Sequence, residues 1–126
     1  MTKDQTNPQI AGYHAHVYYD AATKPKAQQL AASALDALTV ELAGFSDKPA
    51  GPHPVGNLLL TFKPAKFASV VPWLMLNRKG LDVLIHPLTD DAARDHDSDG
   101  LWLGTQLKLR PHTHSAAYAP NLLPTT

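Results

Sequence analysis

The sequence predicts an α+β fold of ferredoxin-like type: a split βαβ antiparallel sheet with two helices on one face and an extra C-terminal strand. Three observations carry this expectation. Residues 11–19 alternate in polarity, apolar residues then recur at helical spacing, and the signatures that follow run strand, helix, strand, strand, helix, strand.

In the alternating segment Tyr13, Ala15, Val17 and Tyr19 share one face, and His14, His16 and Tyr18 the other; this is the first strand. Asp20 to Thr23 turns the chain, and Thr23 is placed to cap a helix whose first turn tolerates Pro25. Leu30, Ala31, Ala34, Leu35 and Leu38 mark the buried stripe of that helix. Leu42 fits the same stripe, with a stop at Gly44, but Thr39 to Leu42 also reads as a short strand. The strand is preferred because it completes the sheet. Residues 46–56 hold three prolines and two glycines and form a loop. Leu58, Leu60 and Phe62 alternate with Leu59, Thr61 and Lys63 in the third strand. Phe67, Val70, Val71, Leu74 and Met75 suit a second helix, which Pro72 is expected to kink or restart and Arg78-Lys79-Gly80 to end. Leu81 to His86 makes the fourth strand. An aspartate-rich loop then leads to Leu101 to Leu109, the extra strand, which carries Trp102. The domain is expected to span 11–110, between an N-terminal tail at 1–10 and a loosely held C-terminal tail at 111–126. Helices on one face leave the other bare, and a bare apolar sheet face commonly meets its own copy, so a homodimer is expected.

Composition narrows the function. Eleven basic residues balance eleven acidic ones, which removes the electrostatic footprint of a nucleic-acid binder. The most apolar stretch, Phe67 to Leu76, is too short for a bilayer and is interrupted by Pro72. The first nine residues lack the pattern of a signal peptide, so a cytoplasmic location is expected. With no cysteine, any metal must be held by nitrogen and oxygen.

The seven histidines carry the chemistry. His14 and His16 project from one strand face about 7 Å apart. In a ferredoxin-like sheet the fourth strand runs antiparallel beside the first, which brings His86 to them. By parity Leu84 and His86 share their open face, while Val83 and Ile85 face the helices. His96, within Asp95-His96-Asp97, is in reach of that end. His53 precedes the third strand and starts from the opposite end, so it joins only if its loop folds across the open face or a partner chain supplies it. Imidazole nitrogen suits iron(II), zinc, copper and nickel, and two histidines with a carboxylate form the facial site of non-haem iron oxygenases. Asp82, Asp95 and Asp99 are the nearby carboxylates, and spacing singles out none. The plainer alternative is that His14 and His16 are half-exposed sheet residues, His86 ends a strand and His96 is solvated. His112 and His114 have chelating spacing too, but a tail gives them no fixed geometry.

Several motifs together resemble one family. Tyr13-His14-Ala15-His16-Val17-Tyr18-Tyr19-Asp20, Gly51-Pro52-His53-Pro54, Val71-Pro72-Trp73-Leu74-Met75-Leu76-Asn77-Arg78, Ile85-His86-Pro87 and Leu101-Trp102-Leu103-Gly104 are similar, in that order, to the DOPA 4,5-dioxygenase family. The resemblance implies a dimeric ferredoxin-like fold and extradiol cleavage of a catechol such as DOPA, using iron(II) and molecular oxygen. Another divalent metal such as zinc could occupy the site in a purified sample. The family's histidine positions fall on His14, His16, His53, His86 and His96. Where family members often carry a further histidine, this chain has Asp99-Gly100. The ligands expected from this resemblance are His14, His16 and His86, with Asp99 as a substitute. His53 and His96 are the expected proton carriers, since an imidazole can both take and return a proton near neutral pH. Arg78 is a candidate for a substrate carboxylate, and Trp73 and Trp102 for stacking on a ring. The competing readings are a non-catalytic dimeric module that binds a metal or small aromatic acid, and a structural dimer with incidental histidines.

Overall fold

The computed structural model describes residues 10–110 and 123–125. Five strands form one antiparallel sheet: β1 (Tyr13–Tyr18), β2 (Glu41–Ser46), β3 (Asn57–Phe62), β4 (Val83–Pro87) and β5 (Leu101–Leu103), in the order β2-β3-β1-β4-β5. Helices α1 (Lys24–Ala37) and α2 (Phe67–Asn77) supply the crossovers, and a short helix α3 (Ala92–His96) leads into β5. This is the ferredoxin-like arrangement with one strand added beyond β4.

Strict alternation explains where the core lies. Ala15 and Val17 of β1 with Tyr19 just beyond it, Leu58, Leu60 and Phe62 of β3, and Val83 and Ile85 of β4 face the helices. There they pack on Leu30, Ala34, Val70 and Leu74. Each large apolar side chain buried here contributes about 1.5–3 kcal/mol. Tyr13 stacks on Phe62 at 5.5 Å between ring centroids and meets Phe67 at 4.9 Å.

Several local expectations need correction. Thr23 stands at the N-cap of α1, yet its hydroxyl bonds back to Asp20 and not into the helix. Leu35 and Met75 are exposed, because α1 buries the small stripe Ala27, Leu30, Ala31 and Ala34 and α2 buries Val70, Val71 and Leu74. Helix α2 continues through Pro72 without restarting. Strand β2 starts at Glu41 rather than Thr39 and runs on to Ser46. Gly44 (φ 154°), the stop of the alternative longer helix, sits inside the strand, at a register shift against β3. The extra strand ends at Leu103, because Gly104 turns the chain at φ 82°.

The segment after Gly104 crosses back over the sheet. Thr105 N–H donates to Asp82 at 2.8 Å, and Arg110 N–H donates to the Pro52 carbonyl at 2.8 Å. Of the expected C-terminal tail, 123–125 are described: Pro124 is buried close to Gly12, and Thr125 bonds the Glu41 carboxylate. His112 and His114 lie outside the described residues. Among the described residues, no helix is long and apolar enough to cross a membrane.

Candidate metal centre

The sheet register builds the centre. His14 stands directly opposite His86 across the β1–β4 ladder, and His16 is opposite Leu84, so all three imidazoles lie on the face away from the helices. Their ring centroids are 5.1 Å (His14 to His86), 5.7 Å (His14 to His16) and 5.1 Å (His16 to His86) apart.

Two further histidines arrive from outside the sheet. The 46–56 loop does fold across the open face: a tight turn with Gly51 at φ 54° and a His53 N–H to Ala50 carbonyl bond of 2.9 Å directs His53 inward. Its ring lies 4.0 Å from that of His16. Helix α3 delivers His96, whose ring is 4.0 Å from that of His86. Asp91 caps α3 by accepting from Arg94 N–H. Buried Asp95 accepts from both the amide and the hydroxyl of Thr89, which anchors the turn that carries His96. All five rings are buried within one chain. The open face is therefore not bare at its centre: the chain covers it with its own loops.

Hydrogen bonds fix which nitrogen each ring presents. His86 Nδ1 lies 2.9 Å from the Pro87 carbonyl oxygen, and His96 Nδ1 lies 2.8 Å from that of Ala92. A carbonyl oxygen can only accept, so Nδ1 carries the proton in both rings and Nε2 is the ligand atom. His16 Nδ1 donates in the same way to Asn57 Oδ1 at 2.9 Å. Consequently the Nε2 atoms of His16 and His86, which face each other at 3.1 Å, each offer a lone pair with no proton between them. Burial, and after it the charge of the neighbouring histidines, holds both rings well below the usual 6.5, which keeps a proton from bridging them.

This donor set fits a divalent cation. Two nitrogens each about 2.0–2.1 Å from one ion lie roughly 2.9–3.4 Å apart, and the 3.1 Å separation falls in that interval. Two trios could hold an ion, His14–His16–His86 and His16–His53–His96, sharing His16. Neither includes a carboxylate. Asp99 instead pairs with Arg94 at 3.4 Å, Asp82 accepts from Thr105 N–H, and Asp95 is committed to Thr89.

The remaining candidates separate in space. Trp102 is on the histidine face and stacks on Tyr18 at 5.7 Å, while the Tyr18 hydroxyl is 2.7 Å from His53 Nδ1. Trp73 packs against the core on the helix side, and the Arg78 guanidinium donates to the Leu81 carbonyl at 2.9 Å; the structure brings neither to the histidines. A cavity of about 500 Å³ also lies away from them, against Tyr13, Phe67, Arg94 and Asp99. Two smaller ones open on the histidines. One of about 200 Å³ is lined by His14, His16, His53 and β2, and one of about 210 Å³ by His96, Trp102 and residues 106–109. Sequence reasoning missed Asn57 and gave Tyr18 no role. The parity of β1 was the available signal for Tyr18, but an asparagine at the start of β3 carries no signal that predicts its partner.

Comparison with known proteins points to a dioxygenase family. The chain is 33% identical over 123 residues to the DOPA 4,5-dioxygenase of Amanita muscaria, covering 86% of this chain and 54% of that protein. It is 40% identical over 73 residues to an uncharacterized 21.2 kDa protein of Botryotinia fuckeliana, covering 52% of this chain and 40% of the other. The chain thus spans about half the length of the curated relatives it matches. A crystal structure from Nostoc punctiforme, described as a candidate dioxygenase, superposes with a TM-score of 0.80 at 48% identity, covering 84% of this chain and 92% of the other. Residues 13–113 match the Dopa 4,5-dioxygenase family, and the chain belongs to that family.

Proposed function

We propose that this protein is a non-haem iron(II) dioxygenase that opens the ring of a catechol by extradiol cleavage with molecular oxygen. The observation that carries the reading is the pair of buried, proton-free Nε2 atoms of His16 and His86 at 3.1 Å, with the other histidines around them. In this reading His14, His16 and His86 hold the metal. Iron(II) held there would bind and activate the catechol and dioxygen together, and three protein ligands would leave room for both substrates. His96, with Nδ1–H fixed on the Ala92 carbonyl, presents Nε2 to take a catechol proton. His53 holds or returns a proton through a ring whose Nδ1 is shared with the Tyr18 hydroxyl. Burial of all five rings keeps bulk water from the reacting oxygens.

The second trio, His16–His53–His96, supports an alternative assignment in which His14 and His86 are the proton carriers. Alanine variants separate the two. The first assignment expects His14→Ala to abolish iron retention while His53→Ala retains iron and loses turnover; the reverse pattern moves the metal to the second trio. A homodimer belongs to the same reading. With loops over the centre of the histidine face, the exposed Leu42 and Phe45 of edge strand β2 support a contact there in this reading.

The experiment for the function is anaerobic iron(II) loading followed by a catechol and oxygen. A yellow ring-opened product is expected. Stoichiometric metal binding without colour across several catechols overturns the enzymatic reading, and failure to retain any divalent metal overturns the metal centre as well.

A further inference from the structure

The two cavities that open on the histidines differ in charge. The one beside β2 is lined by Ala43, Phe45, Ala50, Leu59 and their neighbours, with no acidic residue, lysine or arginine in its wall. The other lies between His96 and the segment that crosses back from β5. Trp102, Leu107 and Leu109 form its apolar walls, and Lys108 and Asp97 stand in its lining. Among the described residues, the ion pairs are Lys24–Asp47 and Arg94–Asp99, so neither Lys108 nor Asp97 is neutralised by a partner.

A catechol must turn its two hydroxyls toward the histidines, and any substituent on the ring then points outward through one opening. A charged substituent entering the uncharged opening would lose water without gaining a partner. In the other opening it meets Lys108, the one cation of a lining in which the Asp97 carboxylate opposes it, and the ring meets the face of Trp102. We infer that Lys108 is the residue that reads an anionic substituent on the aromatic ring, in a subsite walled by Trp102 beside His96. This rests on the catechol dioxygenase reading of the same site. It gives Lys108 the role that sequence reasoning assigned to Arg78, whose guanidinium is committed to the Leu81 carbonyl.

The test compares wild type, Lys108→Ala and Lys108→Arg in a Trp73→Phe background, in which Trp102 is the remaining tryptophan. The first readout is the ratio of kcat/KM for 3,4-dihydroxyphenylacetate over unsubstituted catechol. The second is the Kd of 4-hydroxyphenylacetate for the metal-loaded protein, followed through Trp102 fluorescence. Lys108→Ala is expected to lower the ratio and weaken binding by about fivefold, the scale of a partly exposed charge pair, with recovery in Lys108→Arg. An unchanged ratio and an unchanged Kd in Lys108→Ala overturn the assignment. If no variant turns over either catechol, the enzymatic reading fails and the Kd decides alone: a fivefold weakening upholds Lys108 as the anion reader, and an unchanged value removes it.

Discussion

His16 and His86 meet through their Nε2 atoms at 3.1 Å, while the Nδ1 of each is committed to an oxygen, that of Asn57 for His16 and that of Pro87 for His86. Two neutral rings held in this way repel unless a cation lies between them. The folded chain therefore fixes an electron-rich gap before any ligand arrives, and an ion that fills it stabilises the fold as it binds.

Replacing either ring removes half of that gap. His16→Ala and His86→Ala are each expected to weaken divalent metal binding by more than roughly a hundredfold, beyond the loss typical of an outer-shell change. Competition with a chromogenic chelator measures this. An affinity within a few-fold of wild type would remove the residue from the ligand set.

Asn57 would act on a bound metal through His16. Asn57→Leu leaves the His16 Nδ1–H without its acceptor, so the ring can turn or change tautomer. Metal affinity is expected to fall about 10–100-fold. The nitrogen shifts of the His16 ring should report mixed tautomers; a single unchanged tautomer with full affinity would show that Asn57 does not set the ring.

Acid should destabilise the metal-free protein in a defined window. Burial holds His16 and His86 well below 6.5 in the folded state, whereas in the unfolded chain they titrate near 6.5. The unfolded state thus binds more protons below that pH, so stability is fully present above about 6.5 and is lost as pH falls below it. Urea unfolding between pH 7.5 and 5 checks the sign; a midpoint that stays constant or rises on acidification contradicts it.

The Asp95–Thr89 clamp should matter to both stability and the site. Asp95→Ala leaves the half-buried Thr89 amide and hydroxyl without their acceptor and is expected to cost about 1–3 kcal/mol. It also loosens the helix that carries His96. Urea unfolding gives the first effect, and hydrogen exchange at the α3 amides gives the second; a variant equal to wild type in both would show that α3 holds His96 without the clamp.

What could be read from the sequence was whatever obeys a period. The alternation of β1 assigned Ala15 and Val17 to the core and His14 and His16 to the other face, and the strand order then placed His86 beside them. Departures arose where a backbone device has no periodic signature. The turn at Gly51 brings His53 over the sheet, and the bulge at Gly44 lets β2 run past Leu42 to Ser46. Helix α3 is only five residues long and is set by one capping aspartate and one clamp, which an aspartate-rich loop conceals. The facial carboxylate sought among Asp82, Asp95 and Asp99 is absent from both histidine trios, because each of these side chains has a structural partner.

Strand β1 interleaves the two demands on this protein, residue by residue: Ala15 and Val17 face the apolar core, and His14 and His16 face the site. A single residue inserted or deleted between Tyr13 and Val17 would swap the two sets, sending imidazoles into the core and aliphatic groups into the site. Point substitutions can damage either function separately, but a change in length damages both at once. Drift in this strand is therefore confined to replacement, and length variation must be absorbed in the connections around it.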